Sequence, residues 1–350
     1  MIDAVKSVVL WCAALCCGVI RAMEILLHIG AHRTGTTTFQ CFLQRNQTAL
    51  SEAGVALWTP ERTRNGLLSG LVRRPQDITE QIERIGARSC GVMRIQIATT
   101  RAAGMRQLII SEENMIGAIR NNLRERQLYP LLSERLLRFR AAFGENCTRI
   151  AFGIRSYDAF WASALAFAVA RGHRTPSRAD IDQFVTQPRT WRKVIREIST
   201  VFPRADIVVW PFERLAGQPD RQLQLLTAGV GLKTPLSGRG DWQNASPNLG
   251  ALREILTLRG GEHASAQLPH SEGRWMPFDD NQKEILRAQY QIDLAWLRQG
   301  AEGLARFVDS PADYDRTTTL QARGSEVAGM NPPGLSRSGG YGYGKQEYLV

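Results

Sequence analysis

The chain has 350 residues, 43% hydrophobic and 22% charged, with a formal net charge of +11. This is ordinary globular composition with ample apolar content, enough for one large α/β domain or two smaller ones. The six cysteines show neither Cys-x-x-Cys spacing nor a disulfide framework, which excludes a zinc ribbon and a disulfide scaffold and fits reduced thiols in a cytoplasmic protein. The basic balance suits phosphates, sulfates, acidic glycans or nucleic acid and singles out none of them. Only five of the 44 basic residues are lysine, and none lies between positions 7 and 192, so cationic work in that stretch falls to arginine.

Residues 1–22 contain an apolar run, Val8 to Ile20, preceded by Lys6. It is short for a membrane span and right for a signal core. Met23 directly before the first strand suggests an over-called start, with an uncleaved membrane anchor over residues 8–20 as the alternative. Strand patterns follow at Ile25–Ile29, Gln107–Ser111, Arg149–Ile154 and Asp206–Trp210, with a weaker one at Gly54–Trp58. Helical periodicity is clearest at Thr36–Leu50, Leu128–Phe143, Tyr157–Arg171, Trp191–Val201 and Asn281–Arg298. This alternation predicts an α/β domain over residues 23–305, with a mostly parallel sheet between helices. Residues 60–105 read as helices and loops inserted after the first βα unit, a substrate-facing region. Residues 306–350, above all from Pro311, are rich in Gly, Pro and Ser and read as a disordered tail.

The stretch Ile25 to Thr38 runs apolar strand, glycine, basic hydroxyl-rich turn, helix. That order places a phosphate-cradling loop at a helix N-terminus. Gly30 and Gly35 keep the spacing of a nucleotide triphosphatase loop, but Thr36 stands where its lysine belongs. The loop's cation is Arg33. A second site is the strand ending in Arg155, with Ser163 eight residues on, about two turns into the next helix. Guanidinium and hydroxyl together can hold one phosphate. Alone, an exposed strand-end arginine and a small packing residue are the simpler explanation of this pair. The strand at residues 107–111 ends in Ser111-Glu112-Glu113-Asn114, which puts two carboxylates at the sheet's C-terminal edge. A carboxylate beside another has its pKa raised toward neutrality, so Glu113, or failing that Glu112, is a candidate base; ordinary pairing with arginines is the alternative. His28 reads as packed in its strand, His32 as a loop residue able to bond phosphate or acceptor, and His173, His263 and His270 as surface residues. No His/Asp/Glu cluster has metal-ligand spacing, so no metal is expected.

Taken together, the loop, Arg155 and Ser163 resemble the sulfotransferases that use 3′-phosphoadenosine-5′-phosphosulfate (PAPS). The likeness is nearest to bacterial sulfotransferase-family proteins with a His-Ile-Gly-x-x-Lys-Thr-Gly-Thr-Thr loop. It extends through Trp210-Pro211-Phe212-Glu213-Arg214-Leu215, faintly through Asn244-Ala245-Ser246-Pro247, and through Phe278, Leu286, Tyr290, Asp293 and Leu297, covering about residues 24–300. The resemblance implies a three-layer P-loop-type fold and PAPS as co-substrate. Arg33, Thr34, Gly35, Thr36, Thr37 and Thr38 would then hold the 5′-phosphosulfate, Arg155 and Ser163 the 3′-phosphate, and Phe212 would also contact the co-substrate. Glu113 or Glu112 would take the acceptor's proton. The family's loop lysine is Arg33 here, which keeps the positive charge but is a far poorer proton donor. The implied acceptor is a hydroxyl or amine, as on a glycan or lipid-linked sugar. Two other readings stand beside this one. One is a kinase or nucleotidase with a degenerate loop; the other is a non-catalytic protein binding nucleotide or acidic glycan. No motif for reading nucleic acid is present.

Overall fold

A computed structural model describes residues 23–232, 234–241, 243 and 246–310. Expectations for residues 1–22 and 311–350, and for Asn244 and Ala245, fall outside the described residues. Six strands form one sheet: β1 (Glu24–His28), β2 (Val55–Trp58), β3 (Gln107–Ser111), β4 (Cys147–Ile154), β5 (Asp206–Pro211) and β6 (Arg306–Phe307). Every pairing is parallel, in the order β2-β3-β1-β4-β5-β6. The sheet is therefore wholly parallel. Its last strand pairs with Val208 and Val209, just past the boundary expected at residue 305.

Alternation along the strands makes two cores, because successive side chains point to opposite faces. On one face Ile25, Leu27, Ile110 and Phe152 meet three helices: α3 (Leu132–Phe143), α4 (Tyr157–Val169) and α5 (Trp191–Val201). On the other, Leu26, Ile109, Ala151 and Val208 meet α1 (Thr36–Arg45) and α6 (Pro219–Thr227). Together these make the expected three-layer α/β arrangement. A long helix, α2 (Glu80–Ala102), lies in the inserted region, and α7 (Asp280–Arg298) closes the helical part of the chain.

Helix α5 matches its expected bounds because Trp191, Val194, Ile195, Ile198 and Val201 are all buried along one stripe, and Thr190 caps its start. Two helices depart most from the pattern, and a third, α4, ends two residues early at Val169. The Thr36–Leu50 pattern divides at Asn46, whose amide donates to the carbonyls of Phe42 and Ser237 and accepts the Ser237 N–H. The Leu128–Phe143 pattern becomes helical only at Leu132, after Tyr129 and Leu131 with φ of 42° and 58° around Pro130. Among the described residues, no helix is long and apolar enough to cross a membrane.

From β1 the chain goes toward β3 and β2 on one side, then crosses to β4, β5 and β6 on the other. The segments after β1 and β4 therefore part at the carboxyl edge of the sheet. A crevice at that point is where open parallel sheets take ligands.

Candidate anion-binding site at the carboxyl edge of the sheet

The loop after β1 is held from behind before it reaches α1. The N–H of Ala31 donates to the carbonyl of Gly153 at 2.9 Å, and the N–H of Gly153 donates back to Gly30 at 2.7 Å. The N–H of His32 donates to the Tyr129 hydroxyl at 2.8 Å, and the Thr34 hydroxyl donates to the Ala31 carbonyl at 2.7 Å. Arg33 then takes the left-handed region at φ 61°, with Gly35 at φ 81°. Such a backbone in a non-glycine residue needs support. Arg155 supplies it by donating from Nη1 to the Arg33 carbonyl at 2.8 Å. The carbonyl of Arg155 in turn accepts from the buried indole of Trp191 at 2.8 Å. Loop, strand end and core thus form one connected frame.

A cleft of about 430 Å³, its open mouth included, lies between the loop and the ends of β4 and β5. Arg33, Gly35, Thr36, Thr37, Arg155, Ser163 and Phe212 all line it, so the two phosphate sites expected from sequence meet in one space. No side chain caps the N-terminus of α1, and the positive end of its dipole faces this space. Gly35 is favoured by its φ of 81°, and a Cβ there would meet the Phe212 ring at 3.4 Å, an ordinary van der Waals contact.

Thr34 and Thr38 are not among the residues that line this cleft. The Thr34 and Thr38 side chains are buried and otherwise engaged: Thr34 with Ala31, and Thr38 with the backbone carbonyl and N–H of Gln243. Sequence reading missed three other lining residues, Gln243, Ser246 and Arg274. Ser246 lay in a noted motif, whereas Arg274 and Gln243 had no local signal.

The electrostatics of the cleft are one-sided. Arg33 donates from Nε to Ser163 at 3.0 Å and from Nη2 to Ser246 at 2.8 Å, and the two serines hydrogen-bond each other at 2.7 Å. Its guanidinium lies 4.7 Å from the Phe167 ring centre, and that of Arg171 lies over the same ring at 3.6 Å. Burial, then the charges of Arg155, Arg171 and Arg274, push the pKa of Arg33 down to about 10. Arg155 is pushed down to about 10 as well, by burial foremost and by Arg274, while Glu213 opposes the shift. Both stay cationic at neutral pH. Arg155 also stacks on Phe212 at 4.7 Å.

The carboxylates after β3 behave differently from expectation. Glu112 is buried and accepts from the Thr63 hydroxyl (2.6 Å), Arg64 Nε and Nη2 (3.0 and 2.8 Å), and the Asn114 N–H and side-chain amide (3.1 and 2.8 Å). With five donors around it, Glu112 clamps structure and has no lone pair left over for a substrate proton. Glu113 accepts from Gln40 at 2.8 Å and from Arg64 at 2.9 Å. Burial raises its pKa, but His32, Arg64 and Gln40 together outweigh burial, and the net shift is downward. The expected rise toward neutrality is therefore overturned: cations and donors from other segments dominate over the neighbouring carboxylate. Glu113 stands beside the loop, its Cβ 3.3 Å from where a Gly30 Cβ would be.

His28 is packed in its strand as expected, bonded through Nδ1 to Ser111 at 2.7 Å, and burial pushes its pKa down to about 4. His32 is buried too. Its Nδ1 lies 3.2 Å from the Tyr129 hydroxyl, and burial lowers its pKa against the opposing charge of Glu113. Among the described residues, no group of His, Cys, Asp and Glu is arranged to hold a metal ion. Neither the models of known protein families nor the curated protein sequences give a match to this chain.

Proposed function

We propose that this chain transfers a sulfuryl group from PAPS to a hydroxyl acceptor. One observation carries the reading: Arg33, Arg155 and Arg274, from three segments, line a single cleft at a helix N-terminus, with Arg155 buried and Arg33 half-buried. Beyond burial, Arg155 and Arg274 lower the pKa of Arg33 and Arg274 lowers that of Arg155, and a multiply charged anion relieves that repulsion. PAPS carries phosphate at two separated positions, matching a loop half built on Gly35–Thr37 and a strand-end half built on Arg155 and Ser163. A triphosphate is disfavoured because Thr36 replaces the lysine that would grip its terminal phosphates.

In the proposed step the acceptor oxygen attacks sulfur. The bond between sulfur and the bridging oxygen breaks, and adenosine-3′,5′-bisphosphate leaves with the electron pair. The acceptor's proton passes to the carboxylate of Glu113 or to water. Arg33 and the amide end of α1 stabilise charge gathering on the leaving phosphate. Because Glu113 is held ionised below the usual carboxylate range, it accepts this proton late, as the new bond forms.

Calorimetric titration with adenosine-3′,5′-bisphosphate, ATP and ADP tests the ligand, and labelled PAPS turnover tests the chemistry. Tighter binding of ATP than of the bisphosphate would sink the reading in favour of a kinase or nucleotidase. Bisphosphate binding without transfer to any hydroxyl acceptor would point instead to a nucleotide-binding protein without activity. The specific ground for that second reading is Arg33, whose side chain is committed to Ser163 and Ser246.

A further inference from the structure

A second hollow lies on the other side of the carboxylates. It is a groove of about 1120 Å³, mouth included, between α2 and the segment from Arg62 to Ser69. That segment arches because its helical course breaks at Asn65 and Gly66, the latter at φ 87°. Both ends of the arch are pinned to α2. At one end Arg62 donates to Gln96 at 2.9 Å. At the other, Ser89 donates to the Ser69 carbonyl at 2.8 Å, and Gly70 lies so close to Gly86 that a Cβ at Gly70 would come within 2.6 Å of its nitrogen. The space between is therefore built by the fold and does not come from loose packing.

The helix gives this groove a stripe with helical spacing, Ile85, Arg88, Val92 and Gln96. Ile85 and Val92 are 40% and 38% exposed, and Ile95 beside them is 68% exposed. The lining contains two arginines, Arg62 and Arg88, and no carboxylate. The groove is thus apolar along one wall and positive along its length. Arg64 connects it to the carboxylates after β3. While Asn65 and Gly66 face the groove, Arg64 turns the other way onto Glu113, and Glu113 reaches Gln40 in α1, one turn past Thr36.

We propose that this groove is the acceptor site and that its occupant is an anionic amphiphile: an apolar chain whose acid group pairs with the groove arginines and whose hydroxyl extends past Arg64 to Glu113. The role as acceptor site rests on the transfer reading above; the binding chemistry does not. An apolar body satisfies Ile85 and Val92 by removing them from water, and an acid group answers Arg62 and Arg88. A neutral polar sugar would satisfy neither wall.

The test is calorimetric titration of the full chain with 12-hydroxydodecanoate, below its aggregation concentration, against 1,12-dodecanediol and glucuronate. The hydroxy acid is expected to bind at least tenfold more tightly than either comparator. Arg88→Glu and Val92→Asp, both at exposed positions, are each expected to weaken it at least tenfold while leaving bisphosphate affinity unchanged. Arg155→Ala is expected to leave hydroxy-acid binding intact. Equal binding of acid and diol, tighter binding of glucuronate, or indifference to both groove variants would overturn the proposal. The two failures are separable: bisphosphate binding without hydroxy-acid binding overturns the groove alone, whereas the reverse overturns the nucleotide reading and leaves an amphiphile site that is not an acceptor site.

Discussion

The arginine cleft and the carboxylate pair occupy the same edge of the sheet but resolve their charge in opposite ways. At Glu112 each lone pair meets a donor from the chain itself, with Arg64, Thr63 and Asn114 arranged around it. In the cleft, burial and the charges of Arg155, Arg171 and Arg274 lower the pKa of Arg33, and burial and Arg274 lower that of Arg155 against the opposing charges of Glu213 and Asp158. A closed cluster stabilises the fold, whereas a mutually repelling one costs stability and is maintained for something that arrives from outside. The difference separates scaffold from site without reference to any relative.

The strongest challenge to this contrast is Arg155→Ala. It should cost on the order of a thousand-fold in adenosine-3′,5′-bisphosphate affinity, about 4 kcal/mol, since a charged donor pair and the support of the Arg33 carbonyl go together. Calorimetry giving an unchanged Kd would remove the cleft as the anion site.

Next in size is the acid response of the seam between the two regions, where His28 is buried. Its folded pKa of about 4 lies below the ordinary 6.5, so between those values the unfolded chain binds the extra proton. Stability from this group therefore rises with pH across that window and is lost as pH falls from about 6.5 to about 4, by on the order of 3 kcal/mol. Urea midpoints at pH 7 and 4.5 measure it, and His28→Gln should flatten the difference; an equally steep variant would assign the slope elsewhere.

Glu112→Ala should lower stability by about 2 kcal/mol, because it leaves the Thr63 hydroxyl and Asn114 without their acceptor, although half-exposed Arg64 regains water. Bisphosphate affinity should move less than threefold. A variant that folds normally but cannot bind would contradict the division of labour. The smallest effect is expected from Arg33→Lys. A single ammonium cannot serve Ser163 and Ser246 in the fork geometry of arginine, so bisphosphate affinity should fall about tenfold, about 1.4 kcal/mol. PAPS turnover per bound enzyme should hold or rise, as measured by single-turnover label transfer; a collapse in turnover would show that the guanidinium itself is needed.

Much of this was readable from residues, and the limits are physical. The buried strands announce themselves as apolar runs, and α5 carries its whole boundary in one stripe and one cap. The loop and Arg155 were legible because each sits at a fixed offset from a strand end. Arg274 was not, since it enters the cleft from a segment far along the chain, where one arginine among many has no local mark. Ser-Glu-Glu-Asn likewise does not reveal which carboxylate turns inward; that is decided by Arg64, some fifty residues away on an arch whose shape depends on Gly66. β6, with two residues, is too short to leave any periodic pattern.

The hydrogen bond from Arg155 to the Arg33 carbonyl, backed by Trp191, has a kinetic meaning. A receptor already frozen in its binding shape pays little ordering entropy when its partner lands, so capture is governed by diffusion and by the field of the arginines. Association should then slow steeply as ionic strength rises, while the lifetime of the complex barely changes.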